Sequence, residues 1–202
     1  AAVEQEFLTS EDDVDTKYEK NVAEKKAIAE YAASTIQNDD FIYIDAGTAT
    51  LELVKVLPND ENINVVTNGV DHALLAIQRG LSVTIVGGDI KPNTHAIAGM
   101  TGYKQLEKMN FTHAFLGMNG IHEDIGLTTT NMDEALMKEL AMEQSQHIRI
   151  LMDCTKVGKV YNFKVEAPTQ SIILMDNYSE DCSEEKINKL ADRYDIQLIQ
   201  NL

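Results

Sequence analysis

Five times along the chain a short β-rich run stops at a small or polar cluster. The runs are residues 41–44, 64–66, 83–86, 112–116 and 147–152. The clusters that end them are Asp45-Ala46-Gly47-Thr48, Thr67-Asn68-Gly69, Gly87-Gly88, Gly117-Met118-Asn119-Gly120 and Asp153-Cys154-Thr155-Lys156. Between the runs, apolar residues recur at helical spacing. Strands of four to six residues that alternate with helices are the pattern of βαβ units. The fold class predicted is α/β, a mainly parallel sheet with helices on both faces. In such sheets ligands sit beyond the carboxyl ends of the strands. The five clusters share that rim, so the pattern predicts one shared pocket.

The helical stretches predicted are residues 24–36, 51–57, 70–79, 103–109 and 131–146. A last one is opened by Asp181-Cys182-Ser183-Glu184 in a capping-box-like pattern. In the third, Leu74, Leu75 and Ile77 are read as the apolar side and Gly80 as the C-cap. Residues 171–175 and 196–199 read as further strands. At 202 residues the chain fits one such domain. Residues 1–20 are polar and acidic and read as a linker or arm ahead of a domain at 21–202, as in a fragment whose upstream part has been removed.

The net charge is −16, from 33 acidic and 17 basic residues. A surface this acidic repels nucleic acid and anionic lipid, so this stretch of chain is not expected to bind DNA by itself. No apolar run is long enough to cross a membrane, and no signal-peptide pattern stands at the start. Cys154 and Cys182 have no paired spacing and read as spectator thiols of a cytoplasmic protein. The five histidines are scattered without metal-ligand spacing, so no metal and no cofactor is expected.

The loop from Asp45 to Thr50 carries the strongest chemical signal. A strand that ends in a Gly/Thr loop opening a helix is a place to hold an oxyanion. Gly47 lets the backbone come close, Thr48, Ala49 and Thr50 offer the N–H groups of a helix start, and two of them add hydroxyls. Asp45 is a poor phosphate ligand because of its charge. It is read as accepting sugar hydroxyls or bracing the loop. Thr67 and Asn68 are candidates to donate to a ligand, or form a local turn. Gly87 and Gly88 leave room for a ligand or for crossing backbone. Glu134 and Lys138 lie four apart, on one face of a helix. They are read as an exposed ion pair, or as a phosphate-reaching lysine oriented by the glutamate. Lys156, beside Asp153, is the other candidate cation.

The ordered set of these motifs, over about residues 20–165, resembles the C-terminal effector-sensing domain of the DeoR-type bacterial transcriptional repressors. Glu24-Lys25-Lys26-Ala27-Ile28-Ala29, Asp45-Ala46-Gly47-Thr48-Ala49-Thr50, Val66-Thr67-Asn68 and Gly87-Gly88 carry the first half of the match. Gly117-Met118-Asn119-Gly120-Ile121, Gly126-Leu127-Thr128-Thr129 and Asp153-Cys154-Thr155-Lys156 carry the second. The resemblance implies a fold related to ribose-5-phosphate isomerase and the CoA transferases. It implies a sugar-phosphate effector, with Gly117, Asn119, Gly120 and Thr128 in the site. It also implies a winged helix-turn-helix ahead of residue 1, through which an intact homo-oligomer, dimer or tetramer, meets operator DNA. Among family members the chain looks most like the fructose-operon and lactose-phosphotransferase repressors of Gram-positive bacteria, and the stretch from Phe115 to His122, with Gly126 to Thr129, favours the fructose type, which makes fructose 1-phosphate the leading effector. Where the family has Gly-Thr-Thr, this chain has Gly47-Thr48-Ala49, and where the family has Ser-Lys it has Thr155-Lys156.

A sugar-phosphate isomerase on the same fold is the competing reading. It needs a base beside the phosphate loop, and Asp45, Glu134 and Asp153 are the acids on offer. The loop at 117–120 holds no acid where the related isomerase carries carboxylates. A CoA transferase would need Glu134 as nucleophile. The expectation is therefore a receptor, with no catalytic residue.

Overall fold

The structure, a computed structural model, describes residues 7–10, 12–59, 62–177 and 182–200. The chain begins with a short helix α1 (Val14–Tyr18) and continues into α2 (Val22–Ala33), β1 (Phe41–Ile44), α3 (Thr48–Val56), β2 (Asn64–Thr67), α4 (Val70–Gln78) and β3 (Ser82–Ile85). A two-stranded ribbon follows, β4 (Asp89–Ile90) and β5 (Ile97–Ala98), then α5 (Met100–Leu106) and β6 (Phe111–Gly117). Next come β7 (Gly120–His122), β8 (Gly126–Thr129), α6 (Met132–Glu143) and β9 (Ser145–Met152). Cys154–Lys156 form a 3-10 turn before β10 (Phe163–Val165), β11 (Ile172–Asp176), α7 (Glu184–Ala191) and β12 (Asp195–Ile199).

The main sheet has seven strands in the order β12-β11-β9-β6-β1-β2-β3, every neighbouring pair parallel. Its strands alternate between two cores, as side chains on a pleat must. Ile42 and Ile44 join Phe115, Leu151 and Leu174 on one face, under Ile28 of α2, Leu53 of α3 and Ala76 of α4. Tyr43 joins Leu116, Ile150 and Met175 on the other, under Leu106 of α5, Met137 of α6 and Leu190 of α7. Both faces are covered at the centre of the sheet, where β1 is apolar on both sides, while the edge strand β3 stays largely exposed.

The chain order reverses at the centre of this sheet. From β1 it steps outward to β2 and β3, then returns to the other side of β1 as β6 and steps outward through β9, β11 and β12. The loops after β1 and β6 therefore diverge and leave a crevice, the topological switch point where open α/β sheets bind ligands.

Several sequence expectations need correction. Helix α3 starts at Thr48 rather than at 51, because the loop residues 48–50 themselves form its first turn. On α4, Leu74 and Ile77 are 55% and 61% exposed, and the helix buries His72, Ala73 and Ala76 instead. Its small residues let it lie close to its neighbours, which the hydropathy of the leucines concealed. Arg79 is the C-cap of α4, with Gly80 (φ 76°) just beyond it. Ser183 caps α7 without a side-chain hydrogen bond, and Asp181 lies outside the described residues. The ribbons β4–β5 and β7–β8–β10 were not anticipated. The two cysteines are not separate thiols: Cys154 and Cys182 are buried and form a disulfide, with their Cα atoms 5.6 Å apart. Among the described residues no helix is long and apolar enough to cross a membrane.

Candidate functional site

A cleft opens at the switch point. The loop after β1 (Ala46, Gly47, Thr48, Ala49) forms one side and the loop after β6 (Gly117, Met118, Asn119) faces it. The end of β9 supplies Leu151, Met152, Asp153 and then Lys156, and α6 supplies Glu134 and Lys138. The enclosed volume is about 70 Å3. Four lysines (Lys17, Lys25, Lys138 and Lys156) and two acids (Glu134 and Asp153) line it. In a chain of net charge −16 this is a local concentration of cations.

The two central loops touch through glycines. A Cβ on Gly47 would lie 3.8 Å from the Cα of Gly117, and 3.3 Å from Thr50 Oγ1. Gly47 is the N-cap of α3, and no side chain caps that helix. The N–H groups of its first turn thus have no partner within the helix, and they carry the positive end of its dipole.

Asp45 braces this arrangement from beneath. Its carboxylate is 3% exposed, forms an ion pair with Lys138 Nζ and accepts the N–H of Gly117 at 3.1 Å. One side chain therefore ties together α6 and the loops after β1 and β6. Lys138 is itself buried, so the exposed ion pair expected with Glu134 is replaced by a buried one with Asp45. Breaking a buried pair by removing one partner costs about 3–5 kcal/mol, because the survivor keeps an uncompensated charge.

Behind the loop lies a layer that never reaches the cleft. Thr50 donates its hydroxyl to the Asp45 carbonyl at 2.5 Å, with the Gly47 carbonyl at 2.9 Å, so it serves the loop rather than the cavity. His72 Nε2 stands 3.1 Å from Thr50 Oγ1 and 3.0 Å from the Gly47 carbonyl. Burial pushes its pKa down to about 4, so at neutral pH it is an uncharged strut. Asn68 accepts the N–H of Ala46 at 2.8 Å and donates to the Ile97 carbonyl at 3.1 Å. Thr67 accepts the N–H of Gly69 at 3.0 Å.

Of the sequence-nominated residues, Gly47, Thr48, Ala49, Gly117, Asn119, Glu134, Lys138, Asp153 and Lys156 line one cavity. Asp45, Thr50, Thr67, Asn68, Gly87, Gly88, Gly120 and Thr128 do not. Each of these has a structural place instead. Gly88 (φ 146°) lets β5 pass, since a Cβ there would come 2.9 Å from the Ala98 carbonyl oxygen. Gly87 donates its N–H to Gln105 Oε1 at 2.7 Å. Gly120 lies under the Lys159 carbonyl, where a Cβ would approach to 2.2 Å. Thr128 accepts the N–H of Tyr161 at 3.1 Å. On the cavity wall, Asn119 accepts the Thr129 hydroxyl at 2.7 Å, and Asp153 accepts Asn21 Nδ2 at 3.1 Å and the N–H of Thr155 at 3.1 Å.

Sequence reasoning did not nominate Val14, Lys17, Lys25, Ala46, Thr94, Met118, Leu151 and Met152 among the lining residues. For Lys25 there was a signal. It stands at helical spacing with Ile28, Ala29 and Ala32, on the buried stripe of α2. A lysine in such a stripe calls for a buried partner. For Lys17, in a polar arm, there was none.

A parallel α/β sheet with a cation-lined cleft at its switch point defines a small-ligand-binding domain of the open-sheet class. The chain belongs to the DeoR C terminal sensor domain family, whose model matches residues 20–176. It is 40% identical over 150 residues to the uncharacterized HTH-type transcriptional regulator FruR of Bacillus subtilis (strain 168), covering 74% of this chain and 60% of that protein. It is 32% identical over 146 residues to the lactose phosphotransferase system repressor of Staphylococcus aureus, covering 71% of this chain and 57% of that one. The chain thus spans a little over half the length of these relatives. Among solved structures it is similar to the tetrameric eIF2B-beta2-delta2 complex from C. thermophilum, with a TM-score of 0.50 and 16% identity over 75% of this chain and 46% of that one. That likeness concerns the fold alone.

Proposed function

We propose that this domain is the effector receptor of a transcriptional repressor of sugar metabolism, and that its ligand is a phosphorylated sugar. The carrying observation is the cleft at the switch point. There the uncapped start of α3 meets Lys138 and three further lysines across two glycine loops. Backbone N–H groups and a helix dipole suit an oxyanion, and Asn119 and Glu134 on the same wall suit hydroxyls. Fructose 1-phosphate is the leading candidate, from the likeness of residues 115–122 and 126–129 to the fructose-operon repressors.

A receptor rather than an isomerase is supported by the state of two of the three candidate acids. Asp45 is committed to Lys138 and Gly117, and Asp153 to Asn21 and Thr155. An isomerase needs a base that can take a proton from carbon. In this reading DNA is met through a domain outside these 202 residues, in a homo-oligomer, dimer or tetramer, working in the cytoplasm. Effector binding at the strand-end loops shifts the assembly and with it the half-site spacing of the DNA-binding heads. Coupling of about 1–3 kcal/mol suffices.

Thermal-shift titration with fructose 1-phosphate, fructose 1,6-bisphosphate and tagatose 6-phosphate tests the binding step. A ligand at about 100 times its Kd stabilises the fold by roughly 2.7 kcal/mol. A flat melting profile with all three at millimolar concentration sinks the proposal, and turnover of any of them revives the isomerase.

A further inference from the structure

We infer that the arm ahead of the sheet, residues 12–21, is a wall of the ligand cleft, and that Lys17 binds the ligand's anionic group, so that an occupied cleft holds the arm on the domain. The inference rests on the reading of the cleft as a phosphorylated-sugar site. The arm enters the cleft directly: Val14, only 7% exposed, and Lys17 both line it.

The arm is held by ties to both sides of the switch point. On the β2–β3 side, Val14 donates its N–H to the Asn93 carbonyl at 3.0 Å, and the Tyr18 hydroxyl donates to Asp71 of α4 at 2.8 Å. On the β9 side, Asn21 donates to Asp153, itself a lining residue, at 3.1 Å. From α2, Lys25 Nζ donates to the carbonyls of Lys17 and Lys20 at 2.6 and 2.7 Å. The arm therefore spans the crevice that the ligand would enter.

Two physical features make the arm responsive. Helix α1 has five residues and no side-chain cap, too short to persist without its ties. Lys25 faces the arm's carbonyls and also lines the cavity. Burial pushes its pKa down to about 8, so it is costly to keep charged. An anion in the cleft offsets that cost and strengthens the bonds Lys25 makes to the arm. The enclosed space of about 70 Å3 is small beside the roughly 300–1,000 Å3 typical of drug-sized ligands. A sugar attached to the phosphate must therefore reach the boundary that the arm helps to form.

The experiment is amide hydrogen exchange of residues 12–20 in this chain with inorganic phosphate and with fructose 1-phosphate, beside binding titrations of Lys17→Gln and Tyr18→Phe. Neither side chain belongs to the two cores under the sheet, so both variants should melt near the parent. The expected result is slower exchange across 12–20 when fructose 1-phosphate is bound. Lys17→Gln should weaken binding about tenfold, the size of a lost charge-assisted hydrogen bond, and remove the protection. Tyr18→Phe should weaken it a few-fold from outside the cavity. Unchanged or faster exchange in the arm, or a Lys17→Gln chain that binds as tightly as the parent, overturns the inference while leaving the receptor standing. A parent chain that binds neither probe nor the other sugar phosphates removes both.

Discussion

The loop after β1 and the loop after β3 leave the same edge of one parallel sheet, and both carry small residues, Ala46-Gly47 in one and Gly87-Gly88 in the other. Only the first opens on the cleft. Loop 46–49 faces Gly117 across the point where the chain order reverses, and it starts a nine-residue helix with no side-chain cap. Loop 87–88 lies two strands further out, past β2, and turns into the β4–β5 ribbon. The difference teaches that a glycine loop at a strand end acquires a ligand role from its place relative to the switch point. Away from it, the same residues serve backbone passage.

The largest effect expected is at the buried pair that fixes the first loop. Lys138→Met should lower unfolding free energy by about 3–5 kcal/mol, because Asp45 then keeps a buried charge without its cation. Urea denaturation measures this, and the combined Asp45→Asn, Lys138→Met chain should recover part of the loss. No recovery would mean that the pair is not what holds the two loops.

Acid should act next, through His72 in the layer behind the loop and His113 of β6, which lies beside Asp40. Burial holds His72 and His113 down to about 4, below the ordinary 6.5. Unfolding lets each take up a proton between those values, so stability falls as pH drops from about 6.5 toward 4. Asp176 works the other way. Burial raises it to about 6 from 3.8, so acid favours its folded, protonated form over nearly the same window. Two histidines against one carboxyl leave a net loss of stability in acid. Denaturant midpoints at pH 7 and pH 4.5 check this, and His72→Asn should flatten the curve. A profile that His72→Asn leaves unaltered would remove His72 from the account.

Substituting the two glycines tests the comparison itself. Gly88→Ala forces a positive φ and a contact with the Ala98 carbonyl, and should cost about 1–3 kcal/mol of stability while the folded fraction binds ligand normally. Gly47→Ala meets no backbone strain, since φ is −163°, and its Cβ presses only on Thr50 Oγ1 at 3.3 Å, so it should cost less stability than Gly88→Ala while weakening anion binding. The reverse outcome would exchange the roles assigned to the two loops.

The smallest effect belongs to Thr48→Ala. Thr48 lines the cavity, so removing its hydroxyl should cost about 1 kcal/mol of ligand binding and little stability. Thr50→Val should do the opposite, because the Thr50 hydroxyl is spent on the Asp45 and Gly47 carbonyls. Isothermal titration and melting curves together separate the two.

The amino-acid sequence by itself determined the layers and the rim. β1 falls at residues 41–44 as predicted, and the parallel class follows from apolar strands alternating with helices. The oxyanion loop was legible because its signal is local: a strand, a glycine and a helix start lie within a few residues. The partners of that loop were not legible. Strand order decides which of five similar loops converge, and strand order is set by how the two cores pack. Asp45 and Lys138 are 93 residues apart, and α6 brings them together only because Met137 and Leu140 of that helix are buried on one face of the sheet. Lys17 carried no pattern, since an arm residue becomes part of a site only when the chain folds back over it. Short-range chemistry was written in the sequence. Which loops meet, which lysines are buried and where the arm lies were decided by packing, because those contacts join residues that share no local period.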